Sequence, residues 1–267
     1  MHMNLQAVAQ ELEQYFAAQV QIEAINGGAI NSSYRVHVAG QQYFLKIFAA
    51  LDALRLDRRG LFAQQRQLAN VQLAPEPVYL AKAADFQVDQ WLDRPTLATA
   101  GLDADANAQR LAAAISRIHR LSICLPRLDL AQDWQRYMEL ASYTPSQIER
   151  QQMQQLLMYW QHESALYQCP CHHDLALSHV TLAEPAVVFD WEYSAMSNPF
   201  FDLASCIAIN QLSPNAQHRL LSAYAGLHDY DVTWLINKVA DMLPVVNKTN
   251  QLWQLAMQQM AENQQIG

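Results

Sequence analysis

Two short runs gather the residues best able to do chemistry. They are Cys171-His172-His173-Asp174-Leu175 and, past a short loop, Val187-Val188-Phe189-Asp190-Trp191-Glu192-Tyr193. Asp174 and Asp190 lie 16 residues apart, both at the mouth of what reads as a buried apolar strand. Two such acids can divide the work of phosphoryl transfer. One accepts the proton of a substrate hydroxyl, and the other holds Mg²⁺ against nucleotide phosphates. Asp174 suits the first task. His172 is expected to hold its loop, and His173 to touch substrate or face water.

A third group with chemical potential is Lys46, one of four lysines, set between Leu45 and Ile47 in an apolar strand. Strand alternation places it on the face opposite those neighbours. Burying an unpaired ammonium is costly, so a nucleotide phosphate is its expected partner; the alternative is an edge-strand lysine in water. Upstream lies Asn26-Gly27-Gly28-Ala29-Ile30-Asn31-Ser32-Ser33-Tyr34. Gly27 and Gly28 would let backbone N–H groups approach phosphate, and Ser32 and Ser33 add hydroxyls. The same residues also fit an ordinary hairpin turn. Trp91, Trp191 and Tyr193 could cage a cationic substrate with Glu192 as counter-charge, or could be packing residues.

The elements that must position these groups follow from periodicity. Leu5, Val8, Leu12 and Phe16 recur with helical spacing. Strands are expected at 20–25, 34–38 and 42–48, a helix over 51–71 interrupted near Gly60, and two more strands at 78–80 and 86–92. Within that helix Gln64 or Gln65 would face the cleft, since it offers no glutamate. After Pro95 the pattern turns helical, with candidates at 106–121, 134–143, 146–167, 199–209, 215–227 and 232–261. Strands are expected only around the motif loop, near 169–172, 180–183 and 186–190. The fold class is therefore α+β, with a small antiparallel sheet lobe over residues 1–92 and a larger, mainly helical lobe over 93–267.

Composition narrows the function. The 267 residues are 51% apolar, enough for a sizeable core. With 17 basic and 25 acidic residues the net charge is −8, which disfavours nucleic acid or an anionic membrane as partner and is compatible with a cationic substrate. No apolar run reaches bilayer length, and the first residues lack a signal-peptide pattern, so a cytoplasmic protein is expected. Cys124, Cys169, Cys171 and Cys206 form no disulfide framework. Cys169-Pro170-Cys171-His172-His173 could be mistaken for a zinc cluster, but no second ligand pair is visible at matching spacing, so free thiols are expected. Oligomeric state is open.

The motifs resemble those of the small-molecule kinases related to aminoglycoside phosphotransferases, choline kinases and thiamine kinases. The resemblance rests on His172-His173-Asp174, on Phe189-Asp190-Trp191-Glu192-Tyr193-Ser194, on Asn198-Pro199-Phe200-Phe201-Asp202-Leu203-Ala204, and on the helix ending Ile118-His119-Arg120-Leu121. It implies a two-lobed protein-kinase-like fold using ATP and Mg²⁺, with Mn²⁺ as an alternative ion. It also implies that Lys46 holds the α- and β-phosphates and that Asp190 is the principal Mg²⁺ ligand. Asp89, Gln90 and Trp91 would lie in a hinge that contacts adenine through its backbone. Asp202 would brace the catalytic loop. The family carries asparagine as a second metal ligand where this chain has His179. The acceptor implied is the hydroxyl of a small metabolite, with thiamine or choline, both cationic alcohols, leading. His179 also admits a second reading, a catalytically weakened or silent kinase-fold protein that binds a nucleotide or metabolite for regulation.

Overall fold

The computed structural model describes residues 4–25, 31–48 and 56–266. Gly27 and Gly28, and the start of the helix expected from residue 51, lie outside the described residues. Packing divides the chain into two compact units, Met1–Arg94 with Ala183–Glu192, and Pro95–Leu182 with Tyr193–Gly267.

The first unit is built on one five-stranded sheet. Helix α1 (Leu5–Phe16) is capped by the Asn4 side chain, which accepts from the Gln6 N–H. It precedes β1 (Val20–Ala24), β2 (Ser32–Val38) and β3 (Gln41–Ile47). Helix α2 (Arg58–Asn70) then leads to β4 (Pro77–Leu80) and β5 (Phe86–Gln90). The sheet order is β1-β2-β3-β5-β4, antiparallel throughout. Strand β2 begins at Ser32, so both serines expected in the preceding loop are ladder residues; Ser33 pairs directly with Lys46.

Alternation gives this sheet two chemically different faces. Val36, Leu45, Ile47, Phe86 and Val88 pack with Val8 and Leu12 of α1 as the core. The intervening residues Lys46, Gln87 and Asp89 fall on the other face, where Lys46 is registered against Gln87. Gly60 does not break α2. It sits in the first turn, where its N–H donates to the Asp57 cap at 3.0 Å. A side chain at residue 60 would collide with that carboxylate.

The second unit is mainly helical. It contains α3 (Ala104–His119), α4 (Leu130–Leu140), α5 (Gln147–Leu166), α6 (Pro199–Ile209), α7 (Pro214–His228) and α8 (Val232–Ile266). Among its close pairings are α3 with α7, α6 with α8, and α4 with α8. Ser146 and Glu149 form a reciprocal capping box on α5. Asn198 caps α6, followed by Pro199 at a position where its missing N–H costs nothing. Helix α6 is buried on nearly every side, which fits its sequence, since only Asp202 and Ser205 interrupt an apolar run. No helix among the described residues is long and apolar enough to cross a membrane.

The strand expectations around the motif loop need correction. Strand β6 (Cys169–Cys171) forms, but its partner is β7 (Ala195–Ser197), an element the periodicity did not reveal. Residues 186–190 are not a strand. Val188 alone is buried there, and its N–H donates to the Leu73 carbonyl at 2.8 Å. A short apolar run looks alike in a strand and in an extended, one-sided loop.

The sheet core predicts its own test. Leu45 is fully buried, so Leu45→Ala should lower unfolding free energy by about 2–5 kcal/mol in urea denaturation. Gln41→Ala, at the exposed start of the same strand, should change it by no more than about 0.5 kcal/mol.

Candidate active site

In the first unit the sheet's polar face carries a charge cluster. The Lys46 ammonium donates to Asp190 Oδ1 at 2.6 Å and to Glu192 Oε2 at 3.3 Å. Arg58 Nη1 donates to the same Glu192 oxygen at 3.0 Å, with its guanidinium 3.9 Å from the centre of the Phe48 ring. Burial alone would lower the Lys46 pKa; Asp190 and Glu192 outweigh it and hold the ammonium above its ordinary value. The glutamate missing from α2 is thus supplied by a segment 146 residues from the lysine. Sequence reasoning missed Arg58, because nothing local marks a helix-start arginine as the partner of so distant an acid.

Gln65 projects into this polar layer, as expected for Gln64 or Gln65. Its Nε2 donates to Asp89 Oδ1 at 3.0 Å, and its Oε1 accepts from Gln87 Nε2 at 2.8 Å. Gln87 Nε2 also donates to Asp89 Oδ1 at 2.7 Å. Burial pushes the Asp89 carboxyl up to about 7, although Gln87, Gln65 and Lys46 pull it down.

The hinge expectation is narrowed by the sheet. Asp89 and Gln90 lie within the β3–β5 ladder, and the Gln90 N–H donates to the Glu76 carbonyl at 2.8 Å. That N–H is spent inside the sheet, and Trp91 is the first residue beyond the strand. The Trp91 ring is covered by the Arg35 guanidinium at 4.1 Å. Trp191 is a packing residue, not a cage wall. It is 5% exposed, and its indole N–H donates to the Val188 carbonyl at 2.8 Å. Glu192 likewise is engaged by two cations of its own unit.

In the second unit the loop after β6 is organised by one buried carboxylate. Asp202 accepts from the His172 N–H at 3.0 Å, the His173 N–H at 2.6 Å and His119 Nε2 at 2.9 Å. Burial would raise its pKa, but these partners outweigh burial and hold the carboxyl well below the usual range. Burial likewise opposes charge on His119, yet Asp202 and Cys169 raise its pKa to about 9. The bracing role anticipated for Asp202 has this geometry. His119, which lay unremarked inside a helix-end motif, is its side-chain partner.

His172 is fully buried, and its Nδ1 accepts the Asp174 N–H at 3.2 Å. His173 has a φ of 67°, in the left-handed region that non-glycine residues seldom enter. Its Nδ1 donates to the Tyr193 carbonyl at 2.8 Å, and its ring meets Phe201 edge-on at 5.5 Å. The expectation that His173 touches substrate gives way to a bracing role, because the ring is directed into protein. Tyr193 Oη accepts from Trp253 Nε1 at 3.1 Å.

Asp174 keeps a side chain 31% exposed. His179 closes a short 3₁₀ turn, and its Nδ1–H donates to the Asp174 carbonyl at 2.7 Å. In a neutral ring that bond leaves the lone pair on Nε2. Asn210, just past α6, clamps the same loop: Oδ1 accepts from the Leu177 N–H and Nδ2 donates to the Leu175 carbonyl. A helix C-cap asparagine carries no sequence signal for this task.

The donor chemistry suits a magnesium nucleotide. Asp190 offers a carboxylate whose side chain is 31% exposed, and carboxylate oxygens are the donors Mg²⁺ prefers. Its φ of 63° lies, like that of His173, in the left-handed region, which aspartate tolerates better than most residues.

A family model described as "Phosphotransferase enzyme family" matches residues 21–234. Protein LicA of Haemophilus influenzae is 23% identical over 208 residues, covering 75% of this chain and 61% of its own length. The chain thus matches about three fifths of that relative. The solved structure of choline kinase LicA from Streptococcus pneumoniae superimposes with a TM-score of 0.68 at 17% identity, over 98% of this chain and 100% of that one. The Plasmodium vivax ethanolamine kinase gives a TM-score of 0.72 at 16% identity, over 91% of this chain and 77% of that one. These likenesses carry the kinase-like α+β fold expected from the motifs.

The buried Asp89 sets a pH dependence. A carboxyl with a higher pKa folded than unfolded binds protons preferentially in the folded chain. Its contribution is therefore greatest below its ordinary pKa of 3.8 and is lost as pH rises through about 7. Asp89→Asn keeps an acceptor for Gln65 and Gln87 and cannot ionise. Chemical denaturation at a series of pH values should show a shallower decline across this window in the variant. Identical slopes would show that Asp89 does not titrate there.

Proposed function

Because the chain belongs to the phosphotransferase enzyme family, we propose that it is a small-molecule kinase that moves the γ-phosphoryl group of ATP to the hydroxyl of a small cationic alcohol. Choline and thiamine are the leading acceptors. The observation that carries this reading is the Lys46–Asp190 pair. Two residues 144 apart in sequence meet at 2.6 Å, and they are the two to which the family resemblance assigns phosphate and metal. The net charge of −8 and the choline and ethanolamine kinase neighbours support a cationic acceptor over an anionic one.

In this reading Lys46 exchanges Asp190 for the α- and β-phosphates, while Glu192, itself held by Arg58, keeps the ammonium aimed. Asp190 would hold Mg²⁺, with His179 in the place where the family carries asparagine. Bound there, the ion supplies neutralisation of charge on the β- and γ-phosphate oxygens. Asp174 accepts the proton of the acceptor hydroxyl. Asp202, His119 and Asn210 fix the loop that presents it. The four thiols are free, which suits the reducing cytoplasm we propose as the compartment. A second reading, a nucleotide- or metabolite-binding protein with weakened catalysis, is favoured by one observation. The His179 side chain is committed to the Asp174 carbonyl and offers Mg²⁺ a nitrogen where an oxygen is preferred.

The deciding experiment is ATP consumption over choline, ethanolamine, thiamine and aminoglycosides, with Mg²⁺ and Mn²⁺ in parallel. Turnover with a cationic alcohol is expected; nucleotide binding without turnover on any acceptor would favour the second reading. Asp174→Asn should lower kcat by about 10²-fold or more while sparing nucleotide binding. Mg²⁺-ATP at about 100 times its Kd should stabilise the wild type by about 2.7 kcal/mol in a melting assay. Asp190→Asn should lose most of that shift. Equal loss of the shift in both variants would show that the two acids have been given the wrong roles.

His179 has its own test. His179→Asn should raise turnover with Mg²⁺ more than with Mn²⁺, because Mn²⁺ accepts nitrogen more readily. A fall with Mg²⁺ would give the imidazole a catalytic or substrate-binding task of its own.

A further inference from the structure

A second constellation lies at the root of the Asp174 loop and shares only His119 with the groups that brace it. Cys169 and Cys171 sit at alternate positions of β6, so both side chains leave the strand on one side. Their sulfurs are 3.7 Å apart. One ring nitrogen of His119, the last residue of α3, and both sulfurs all lie within 4.8 Å of one another. The second ligand partner that the linear spacing lacked is thus brought from a helix 50 residues earlier in the chain.

We infer that His119, Cys169 and Cys171 form a binding site for one borderline-soft divalent cation of the Zn²⁺ kind, separate from the magnesium–nucleotide chemistry. Three features support this. Two thiolates at about 2.3 Å from a tetrahedral Zn²⁺ stand about 3.8 Å apart, close to the spacing already present. Sulfur and imidazole nitrogen select Zn²⁺-like ions over Mg²⁺, which takes oxygen. The His119 ring is also oriented before any cation arrives. Its Nε2–H donates to Asp202 at 2.9 Å, and Nδ1, which meets the Tyr224 hydroxyl at 2.7 Å, is the nitrogen that would give up its proton and that bond to the cation. Metal-binding imidazoles are held by such outer partners, most often a carboxylate or carbonyl.

Cys171 and His119 are buried and Cys169 is half-buried, so the cation would enter from the Cys169 side, and solvent would complete the tetrahedron. Because β6 runs straight into His172 and His173, and Asp202 holds His119 together with both their amides, the bound ion would pin α3 and β6 at the root of the loop.

The test uses the full chain, freed of metal by a chelator, loaded with Co²⁺ or Cd²⁺ and desalted. Metal per chain and the thiolate-to-metal charge-transfer absorption are then measured. One equivalent with a thiolate band is expected for the wild type. Cys169→Ala and Cys171→Ala should lose both band and metal; Cys124→Ala and Asp190→Asn should keep them. Zn²⁺ should raise the melting temperature of the wild type and leave that of Cys169→Ala unchanged. Should Cys171→Ala fail to fold, the half-buried Cys169→Ala decides. No thiolate band in the wild type, or one that survives Cys169→Ala, overturns the site.

Discussion

A buried charge must be answered where it lies, and that constraint organises both units. Lys46 stands on a sheet with little access to water, so two carboxylates and the cation that shares one of them have to be brought to it. Asp202 is deeper still, in a helix that is otherwise apolar. It is tolerable only because an imidazole and two backbone N–H groups converge on it. Removing one partner of such a set leaves the other charge stranded, which typically costs about 3–5 kcal/mol. These clusters therefore dictate backbone paths as much as they serve chemistry. The segment carrying Asp190 and Glu192, which enters a 3₁₀ turn at Trp191–Tyr193, and the loop after β6 follow routes that satisfy a charge, with no help from a regular ladder.

The division of labour across the sheet follows from the same rule. Alternation sends Leu45 and Ile47 into the α1 core and Lys46 outward from the same strand. The outward face cannot be apolar once an ammonium sits on it, and Gln87, Asp89 and Gln65 fill it with groups that bond one another. The neutral glutamines let Asp89 be buried without adding a second fixed charge.

Much of this was legible in the sequence because it is local. The helices from residue 199 onward fall close to their periodic spacings, with α6 matching end to end, and Pro199 sits where its backbone chemistry places it, whereas the break expected near Gly60 is absent. Lys46 stood out because a lone lysine in an apolar strand calls for a partner. What stayed hidden was long-range. Arg58 and Glu192 are 134 residues apart, and neither is unusual in its own neighbourhood. Asn210 looks like any helix-ending asparagine until the carbonyl of Leu175 lies beside it. Strand β7 is three residues long, too short for alternation to register. The run 186–190 misled for the opposite reason, since its apolar content is real but only Val188 is enclosed.

The left-handed backbone at His173 and Asp190 also bears on the alphabet these positions can use. At a φ near 60° a β-branched side chain crowds its own carbonyl, whereas glycine is at ease and asparagine or aspartate tolerable. Drift at position 190 is thereby channelled toward residues that are small or amide-like, and an isoleucine or valine is shut out by the main chain before any contact is considered. At position 173 the same filter acts, but the imidazole returns part of the conformational cost by bonding the Tyr193 carbonyl. A glycine there would relax the turn and lose the brace, exchanging one kind of rigidity for another.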